Sequence, residues 1–482
     1  MPRRHFIWIL ITLAMASALL VVWHRPTPGP TPADGDFQDV QTAYDLIRDA
    51  HYEPPAADRL QRGAVRGMVE TLDEFSTYVL PEQADLLADR VYGSERGLGL
   101  RLDFAARRDV QAVPVLGVLP RSPAAKAGLR PGDVLLAIND TPVTGLAQQR
   151  IEQLLDPPGD DAIALTVHRK RAETPVRTLA VSPASFRVQT CQGLYLDADG
   201  RWVFALMPKD IEPAGIEDAC GPILYIRIRE FCPQTLQQLQ ETLRARTPPP
   251  AGLALDLRGN PGGLLEDAIA AAELFLDSGD IVTVIGRNNG PRVHRAHDDT
   301  PYGQMRMVVL VDGETASAAE LLAGSLAANA RAIVIGTRTR GKGCVQSMIR
   351  LPGQLGQINL TTKEFRVVPD RPIQRHADSD AWGIDPHIRQ PLTHAQATAL
   401  HDLRRRGEIL PPPPEESDPD DTDTADARLV DALKADPQLR RATELLGDPA
   451  EYARRIDIIA ADVERARKLR QAAEAGREQD DD

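Results

Sequence analysis

The sequence has little positive charge and few aromatic residues, and both shortages narrow the range of functions. Its 69 acidic residues outnumber the 56 lysines and arginines, which gives a formal net charge of -13 at pH 7. Nucleic acids bind to basic surfaces that neutralise their phosphates. We therefore expect a protein or peptide partner and no nucleic acid. Aromatic residues make up only 4% of the chain, whereas 39 prolines and 35 glycines are present, which favours loops and linkers between compact domains.

Cysteine is also scarce. The four cysteines form no CxxC pair and no cluster with the ligand spacing of a zinc site; they are Cys191, Cys220, Cys232 and Cys344. We expect neither a metal nor a cofactor. In an oxidising compartment Cys191 and Cys220, which bracket one segment, could form a disulfide. Free thiols are the alternative, and the sequence leaves both open.

An apolar run from Phe6 to Trp23 is long enough to cross a membrane. It spans 18 residues, which is near the lower limit for a transmembrane helix. Arg3 and Arg4 precede it, and basic residues mark the cytoplasmic end of such a helix. We expect a single-pass anchor in a bacterial inner membrane, with the rest of the chain in the periplasm. The alternative is a signal peptide cleaved within residues 14–18, which would release the chain into the periplasm.

Composition and hydrophobic periodicity divide the chain into segments. These are an anchor or signal (1–25), a Pro-rich linker (26–36), a helical region (37–92), a mostly β module (93–182), an irregular insertion (183–221), an α/β core (222–395), and an acidic linker with a helical C-terminal tail (396–482). In the core, strands are expected at 223–228, 253–257, 307–311 and 332–335, and helices at 233–246, 264–276 and 316–329. This alternation predicts a mainly parallel sheet covered by helices.

The β module resembles a PDZ domain of the bacterial protease type. The resemblance rests on Gly-Leu-Gly-Leu at 97–100 and on SPAAKAGLRPGD at 122–133. Glycines at 97 and 99 would let backbone N–H groups turn toward a terminal carboxylate, and the strand that begins there would pair with an incoming peptide. We therefore expect Gly97, Leu98, Gly99 and Leu100 to bind the C-terminus of a substrate. The alternative is that the two glycines are ordinary turn residues.

Two strand-to-helix junctions in the α/β core carry candidate chemistry. They are LDLRGNPGG at 255–263 and VDGETASAAE at 311–320, and helix starts present unpaired N–H groups that bind an oxyanion or phosphate. Ser317 falls in the first turn of the second helix, where a serine is usually only an N-cap.

Lys342 lies between two glycines in GTRTRGKGCVQ at 336–346. A lysine acts as a base only when burial lowers its pKa, and flanking glycines allow close packing. Arg338 and Arg340 would lower the pKa further if they lie near. The same stretch approaches a phosphate-binding P-loop. However, Gly343 replaces the required Ser or Thr, and a β-like run at 345–351 follows instead of a helix.

Three spaced motifs together resemble the carboxyl-terminal processing peptidases of serine peptidase family S41. DLRGNPGG, TASAAE and GKGCVQ occur in the family's order, and the resemblance covers residues 40–400, including the PDZ module and DEFSTYV at 73–79. It implies a multidomain α/β fold, with a ClpP/crotonase-like protease core, an inserted PDZ domain and a helical N-terminal region. The chain departs from the family at Ala319, where members often have a second Ser, and in its longer insertion at 183–221.

The resemblance also assigns roles to individual residues. Ser317 would be the nucleophile, Lys342 its general base, and Gln346, one turn further on, would hold the lysine in place. The backbone N–H groups of Gly263 and Ala318 would bind the oxyanion, with Gly262 as an alternative donor.

The resulting hypothesis is a serine endopeptidase that cleaves proteins near their C-termini after PDZ recognition, in periplasmic processing or quality control. Its substrates would have apolar C-termini, and an adaptor lipoprotein is a possible partner. A Ser–His–Asp hydrolase is a weaker hypothesis, because no GxSxG sequence is present. His294 and His297, near Asp298 and Asp299, are interpreted as solvated loop residues. A catalytically silent PDZ scaffold that binds peptides remains the alternative from another functional class.

Overall fold

The computed structural model describes most of the chain after its N-terminal segment. The described residues are 37–104, 112–156, 159–170, 174–197, 200–206, 223–245, 250–288, 290–297, 300–367, 371–410 and 431–480. The predicted anchor or signal, the Pro-rich linker, Cys220, Asp298 and Asp299 lie outside these ranges. Within them, no helix is both long and apolar enough to span a membrane.

The chain divides into two compact units, residues 1–71 and 72–482. The described part of the first unit consists of two helices, α1 (Gln38–Ala50) and α2 (Ala57–Glu70). The helical spacing of apolar residues predicted both of them, and the helical N-terminal region is confirmed.

The second unit begins with β1 and continues through the PDZ module into the α/β core. Its first elements are β1 Thr77–Val79, α3 Pro81–Val91, β2 Ser94–Gly97, β3 Leu100–Leu102, β4 Val113–Val118, α4 Pro123–Lys126, β5 Val134–Ile138, β6 Thr141–Pro142, α5 Gln148–Leu155, β7 Ile163–His168, β8 Val176–Val181, β9 Ala184–Arg187, β10 Cys191–Gln192, β11 Tyr195–Leu196 and β12 Trp202–Val203. The core elements are β13 Ile223–Ile228, α6 Thr235–Arg244, β14 Gly252–Asp256, α7 Leu265–Glu273, β15 Asp280–Gly286, β16 Arg292–Arg295, β17 Arg306–Val311, α8 Ala318–Ala328, β18 Ile333–Gly336, β19 Cys344–Arg350, β20 Gln357–Val367, β21 Arg371–Pro372, β22 Ile388–Arg389, α9 His394–Gly407, α10 Pro437–Gly447 and α11 Pro449–Asp480.

The PDZ module is an antiparallel sheet in the order β3-β4-β5-β7-β8, with β6 paired to β5. Buried and partly exposed side chains alternate along its strands, because successive residues of a strand point to opposite faces of the sheet. Along β7, Ile163, Leu165 and Val167 are buried and the side chains between them are partly exposed. Strand β3 is an edge of this sheet. The edge therefore offers backbone groups to a further strand.

The core is built on the predicted parallel sheet. Strands β13, β14, β17, β18 and β22 are parallel neighbours in that order, and β10 adds an antiparallel edge. Both faces are buried, which explains why the strands read as continuous apolar runs. Leu253 and Leu255 point into the hydrophobic core formed with α6, α7 and α8, whereas Ala254 points into a second core on the opposite face. The mainly parallel sheet is confirmed.

A second, antiparallel sheet covers the other side of the helical layer. Strand β20 is its centre and pairs with β1, β15, β19 and β21, while β16 pairs with β15. Val284 of β15 and Phe365 and Val367 of β20 reach the core shared with α7 and α8. The sequence predicted only a β-like run at 345–351 in this sheet.

Helix α10 packs against the parallel sheet, although the sequence suggested a tail. Leu439, Leu445 and Leu446 belong to the second core with Val308 and Ile333 of the sheet. The predicted insertion is also partly regular, because it contains β9 to β12. The predicted domain boundaries themselves stay predictions.

Replacing Leu446 by alanine should destabilise the whole core. Leu446 is 0% exposed, so Leu446→Ala should lower the free energy of unfolding by about 2–5 kcal/mol, measured by urea denaturation. Leu469→Ala on α11 is the matched control, because Leu469 is 67% exposed and its loss should cost less than about 0.5 kcal/mol. Equal effects of the two substitutions would contradict the packing of α10 in the core.

Candidate active site

The two predicted junctions meet at the carboxyl ends of neighbouring parallel strands. The first follows β14 and the second follows β17, which pairs with β14. A side chain on Gly262 would place its Cβ 2.7 Å from Ser317 Cβ and 3.0 Å from Ala318 N. Gly262 has a φ of +105°, so both its conformation and its surroundings require glycine. The Gly-rich loop is therefore in direct contact with the predicted nucleophile.

Asn260 fixes the first junction to its neighbours. Its side chain donates to Ile228 O at 2.8 Å and accepts from Gly262 N at 2.8 Å. Its carbonyl accepts from Ala316 N at 2.9 Å. The asparagine of DLRGNPGG thus ties the glycine loop to the residue that precedes Ser317.

Ser317 has an unusual backbone conformation. It is the residue before the first turn of α8, with φ 55° and ψ -121°. Positive φ is strained for a residue with a side chain, and such strain is concentrated at functional sites. A serine that served only as an ordinary N-cap would adopt an extended conformation. The geometry thus distinguishes Ser317 from the usual helix-start serine.

Glu320 connects the serine to the loop of Lys342. Glu320 is fully buried, and its Oε2 accepts hydrogen bonds from Ser317 N at 2.9 Å and from Lys342 N at 2.8 Å. Its Oε1 accepts from Gly341 N at 2.7 Å and from the Thr339 hydroxyl. One carboxylate therefore holds the backbone of both predicted catalytic residues.

Sequence analysis missed Glu320 and Thr339. TASAAE has the Ser-x-x-Glu spacing of a capping box, in which the glutamate reaches back to the serine N–H. That spacing could have identified Glu320 as the partner of Ser317. Its link to Lys342 depends on tertiary structure, because 22 residues separate the two along the chain.

The environment of Lys342 favours its neutral form. Burial lowers its pKa from the usual 10.5, and the charge of Arg340 lowers it further, while Cys344 and Glu320 oppose the shift. Arg338 instead pairs with Asp385 at 2.6 Å. The prediction that a neighbouring arginine assists thus holds for Arg340.

The amine of Lys342 lies over an aromatic ring from the DEFSTYV segment. Lys342 Nζ is 5.3 Å from the centre of the Phe75 ring. Asp73 orders this turn, because its carboxylate accepts from Phe75 N and Ser76 N, each at 2.8 Å. Among the described residues, the structure records no hydrogen bond between Ser317 Oγ and Lys342 Nζ.

Gln346 lies near the lysine loop, on strand β19 and not on a helical turn. Its amide donates to Cys344 Sγ at 3.1 Å and to Thr361 Oγ1 at 3.3 Å. No bond from this amide to Lys342 is recorded in the described part of the chain. The β-bulge between Val345 and Gln346 sets its direction. Its role in holding the lysine stays a prediction.

The predicted oxyanion donors differ in their availability. Gly262 N already donates to Asn260, whereas Ala318 begins α8 and has no earlier helical turn to accept its N–H. The bonds that flank Gly263 are Phe231 N to Gly262 O and Leu264 N to Phe231 O, each 2.8 Å. The Gly263 N–H takes part in neither bond. The geometry therefore favours Gly263 and Ala318 over Gly262.

The predicted peptide-binding residues line a groove of about 430 Å³ in the PDZ module. Gly97 and Gly99 have φ values of +143° and +74°. Leu98 is buried in the module's core, so its contribution at the groove is through its backbone. Beyond Leu100, the lining includes Phe104, Gln148, Glu152, Leu155 and Phe186. An edge strand and helix α5 thus flank a groove with both apolar and polar walls, which fits an extended peptide.

A larger cleft of about 770 Å³ adjoins this groove. Glu95 and Arg96 line both. The cleft also contacts Arg229 and Glu230, which directly precede Phe231, the residue bonded to the Gly262 loop. The cleft and the PDZ groove are therefore neighbours, and the far side of the cleft lies next to the residue that contacts the first junction.

Of the remaining candidate groups, Cys344 lies in the site itself, where its sulfur accepts from the Gln346 amide. His297 is exposed and lies 3.4 Å from Glu273. The thiols of Cys191, Cys232 and Cys344 are buried and free. Cys191 and Cys232 both contact Thr235, at 3.4 Å and 3.2 Å.

Replacing Glu320 by glutamine should disturb both sides of the site. The new amide would direct N–H donors at N–H donors, so Glu320→Gln should lower the free energy of unfolding by about 1–3 kcal/mol. It should also slow labelling of Ser317 by a fluorophosphonate. Glu314→Gln, on the exposed part of the same loop, is the control and should change neither property. Unchanged stability and labelling in Glu320→Gln would contradict the shared-carboxylate arrangement.

Comparisons with known proteins identify the family of the chain. The profile of peptidase family S41 matches residues 222–390, and a PDZ domain profile matches 115–169. The carboxy-terminal processing protease CtpA of Bacillus subtilis is 30% identical over 350 residues, covering 71% of this chain and 69% of that protein. The carboxyl-terminal-processing protease of Picosynechococcus is 30% identical over 365 residues, covering 74% and 81%.

Among solved structures, the photosystem II D1 C-terminal processing protease covers 78% of this chain and 93% of its own, with 24% identity and a TM-score of 0.42. These two sequence relatives match more than two thirds of this chain and of their own length. The chain belongs to peptidase family S41 and is a serine-type C-terminal processing protease.

Proposed function

We propose that this peptidase uses Ser317 as nucleophile and Lys342 as general base, and that it cleaves proteins near C-termini bound by its PDZ domain. The observation that carries the catalytic part is the single Glu320 oxygen that accepts the backbone N–H of both residues. It brings a strained serine next to a lysine whose burial lowers its pKa. A scaffold that only bound peptides would need neither feature.

In the proposed reaction, Lys342 carries one proton from the Ser317 hydroxyl to the amine that leaves the substrate. Neutral Lys342 takes the proton of Ser317 Oγ as the oxygen attacks the substrate carbonyl. The N–H groups of Gly263 and Ala318 stabilise the negative oxygen of the tetrahedral intermediate. Lys342 then gives the proton to the leaving amine, and water hydrolyses the acyl-enzyme with the same base. In this proposal the hydrogen bond between the Ser317 hydroxyl and the Lys342 amine forms when substrate binds, since catalytic contacts are often completed only in the substrate complex.

The PDZ groove supports recognition of a free C-terminus. Its edge strand β3 can pair with a peptide backbone, and Phe104 and Leu155 supply an apolar surface for the last side chains. The cleft shared at Glu95 and Arg96 would carry the chain from this groove toward Ser317. Protein substrates with apolar C-termini fit this arrangement.

The proposed location is the periplasm, with the run from Phe6 to Trp23 as anchor or cleaved signal. This part of the proposal rests on the basic residues before an apolar run of 18 residues. An adaptor lipoprotein that delivers substrates remains part of the same hypothesis.

A pair of peptides tests the proposed function. Both end in the same apolar residues, but one carries a free carboxylate and the other a C-terminal amide. The wild-type chain should cleave the free acid, and the amide should react about tenfold more slowly because it lacks the charge-assisted bonds of the groove.

Ser317→Ala and Lys342→Ala should each reduce cleavage at least about a thousandfold. Lys363→Ala is the matched control, since Lys363 is exposed on β20, and it should retain wild-type activity. Equal cleavage by wild type and Ser317→Ala would refute the nucleophile, and equal rates for both peptides would refute recognition of the terminus.

The pH profile tests the base. A protonated lysine cannot accept the serine proton, so kcat/KM should rise with pH through a pKa below 10.5, the ordinary value for lysine. Because Arg340 lowers the pKa of Lys342, Arg340→Gln should move the inflection to higher pH. Arg338→Gln, whose partner is Asp385, should leave it in place. A rate that does not change with pH would exclude a lysine base.

A further inference from the structure

Arg258, in the glycine loop next to the proposed oxyanion donors, has all its hydrogen-bonding capacity used. Its side chain is 1% exposed. Nε donates to Asp256 Oδ1 at 2.9 Å, and Nη1 donates to Asp436 Oδ1 at 2.9 Å and Gln438 Oε1 at 2.8 Å. Nη2 donates to Asp256 Oδ2 at 2.7 Å and Asp436 Oδ2 at 2.6 Å. Five N–H groups thus meet five acceptors, which fixes the guanidinium plane.

Three of these five bonds come from the C-terminal segment. Asp436 lies 178 residues beyond Arg258 along the chain, outside the 222–390 match to the peptidase family. It begins helix α10, where its carboxylate also accepts from Gln438 N and Leu439 N. Because α10 is packed into the second core by Leu445 and Leu446, Asp436 is a fixed point against which Arg258 is held.

The glycine loop is held in its middle by Asn260, and Arg258 adds a second fixed point where the loop leaves β14. Its glycines supply conformational freedom, and Gly259, Gly262 and Gly263 all have positive φ, so the chain itself gives the loop little stiffness. A catalytic donor must be held to about 0.5 Å, and a displacement of about 1 Å can reduce a rate about a hundredfold. A buried arginine that lost two acceptors would move toward others or toward water, and the loop would move with it.

We propose that Asp436, assisted by Gln438, is a positioning residue for the oxyanion loop and acts through Arg258. The inference rests on the proposed function of Gly263 as an oxyanion donor. It means that the C-terminal helices complete the active site and do more than stabilise the fold.

Steady-state kinetics of the full-length chain test the proposal. Asp436→Asn keeps an N-cap acceptor for α10 but removes the charge and turns an N–H toward Arg258. It should lower kcat about 10- to 100-fold while KM stays within about twofold, because an oxyanion hole acts mainly in the transition state. The rate of Ser317 labelling by a fluorophosphonate should fall in parallel. Asp448→Asn is the matched control, since Asp448 caps the next helix through Ala450 N and Glu451 N and is exposed.

Gln438→Met provides a milder second variant in case Asp436→Asn fails to fold. It removes one acceptor of Arg258 and should lower kcat about three- to tenfold, again without a change in KM. Wild-type kcat in either variant, after correction for the folded fraction by circular dichroism, would overturn the proposal and give Asp436 a purely structural role. If the wild-type chain itself cleaved no peptide, the proposed function would fail instead, so the two failures are distinguishable.

Discussion

The buried carboxylate of Glu320 is the interaction on which the active-site geometry depends. A carboxylate removed from water must be compensated by donors, and burial raises its pKa while four hydrogen bonds oppose that shift. Those donors come from the serine junction and from the lysine loop. The carboxylate is satisfied only when the backbones of Ser317 and Lys342 lie on either side of it. Their positions are therefore set independently of any contact between their side chains.

The parallel sheet makes this meeting possible. Strands β14, β17 and β18 are adjacent and parallel, so the three loops that follow them leave the same edge, where sites of α/β proteins form. The first loop supplies the glycines, the second Ser317 and the third Lys342. The strands need only be buried and apolar for this, and the catalytic groups are confined to the loops at their ends.

The sequence predicted the parts of this arrangement that are local. Apolar strands alternating with helices predicted the parallel sheet, and spaced motifs predicted that Ser317, Lys342 and Gly263 would converge. It could not predict partners chosen by tertiary structure. Glu320 reads from the sequence only as a capping-box partner of Ser317, and its bonds to the lysine loop appear only in the folded chain. Asp436 follows an acidic stretch, so the sequence suggests a solvated side chain. It is nevertheless 1% exposed, because its carboxylate accepts two hydrogen bonds from the buried Arg258.

Helix α9 and the residues after it make similar long-range contacts with both the core and the PDZ module. Arg404 donates to Asp256 at 2.7 Å, and Asp256 is also the carboxylate that holds Arg258. A few residues further on, Ile409 occupies the space beside Gly117, where a Cβ would lie 2.0 Å from its Cγ2. Gly117 is in β4, opposite Arg101 of the edge strand β3. Packed contacts through α9 and Ile409 thus join the PDZ sheet to the glycine loop of Arg258.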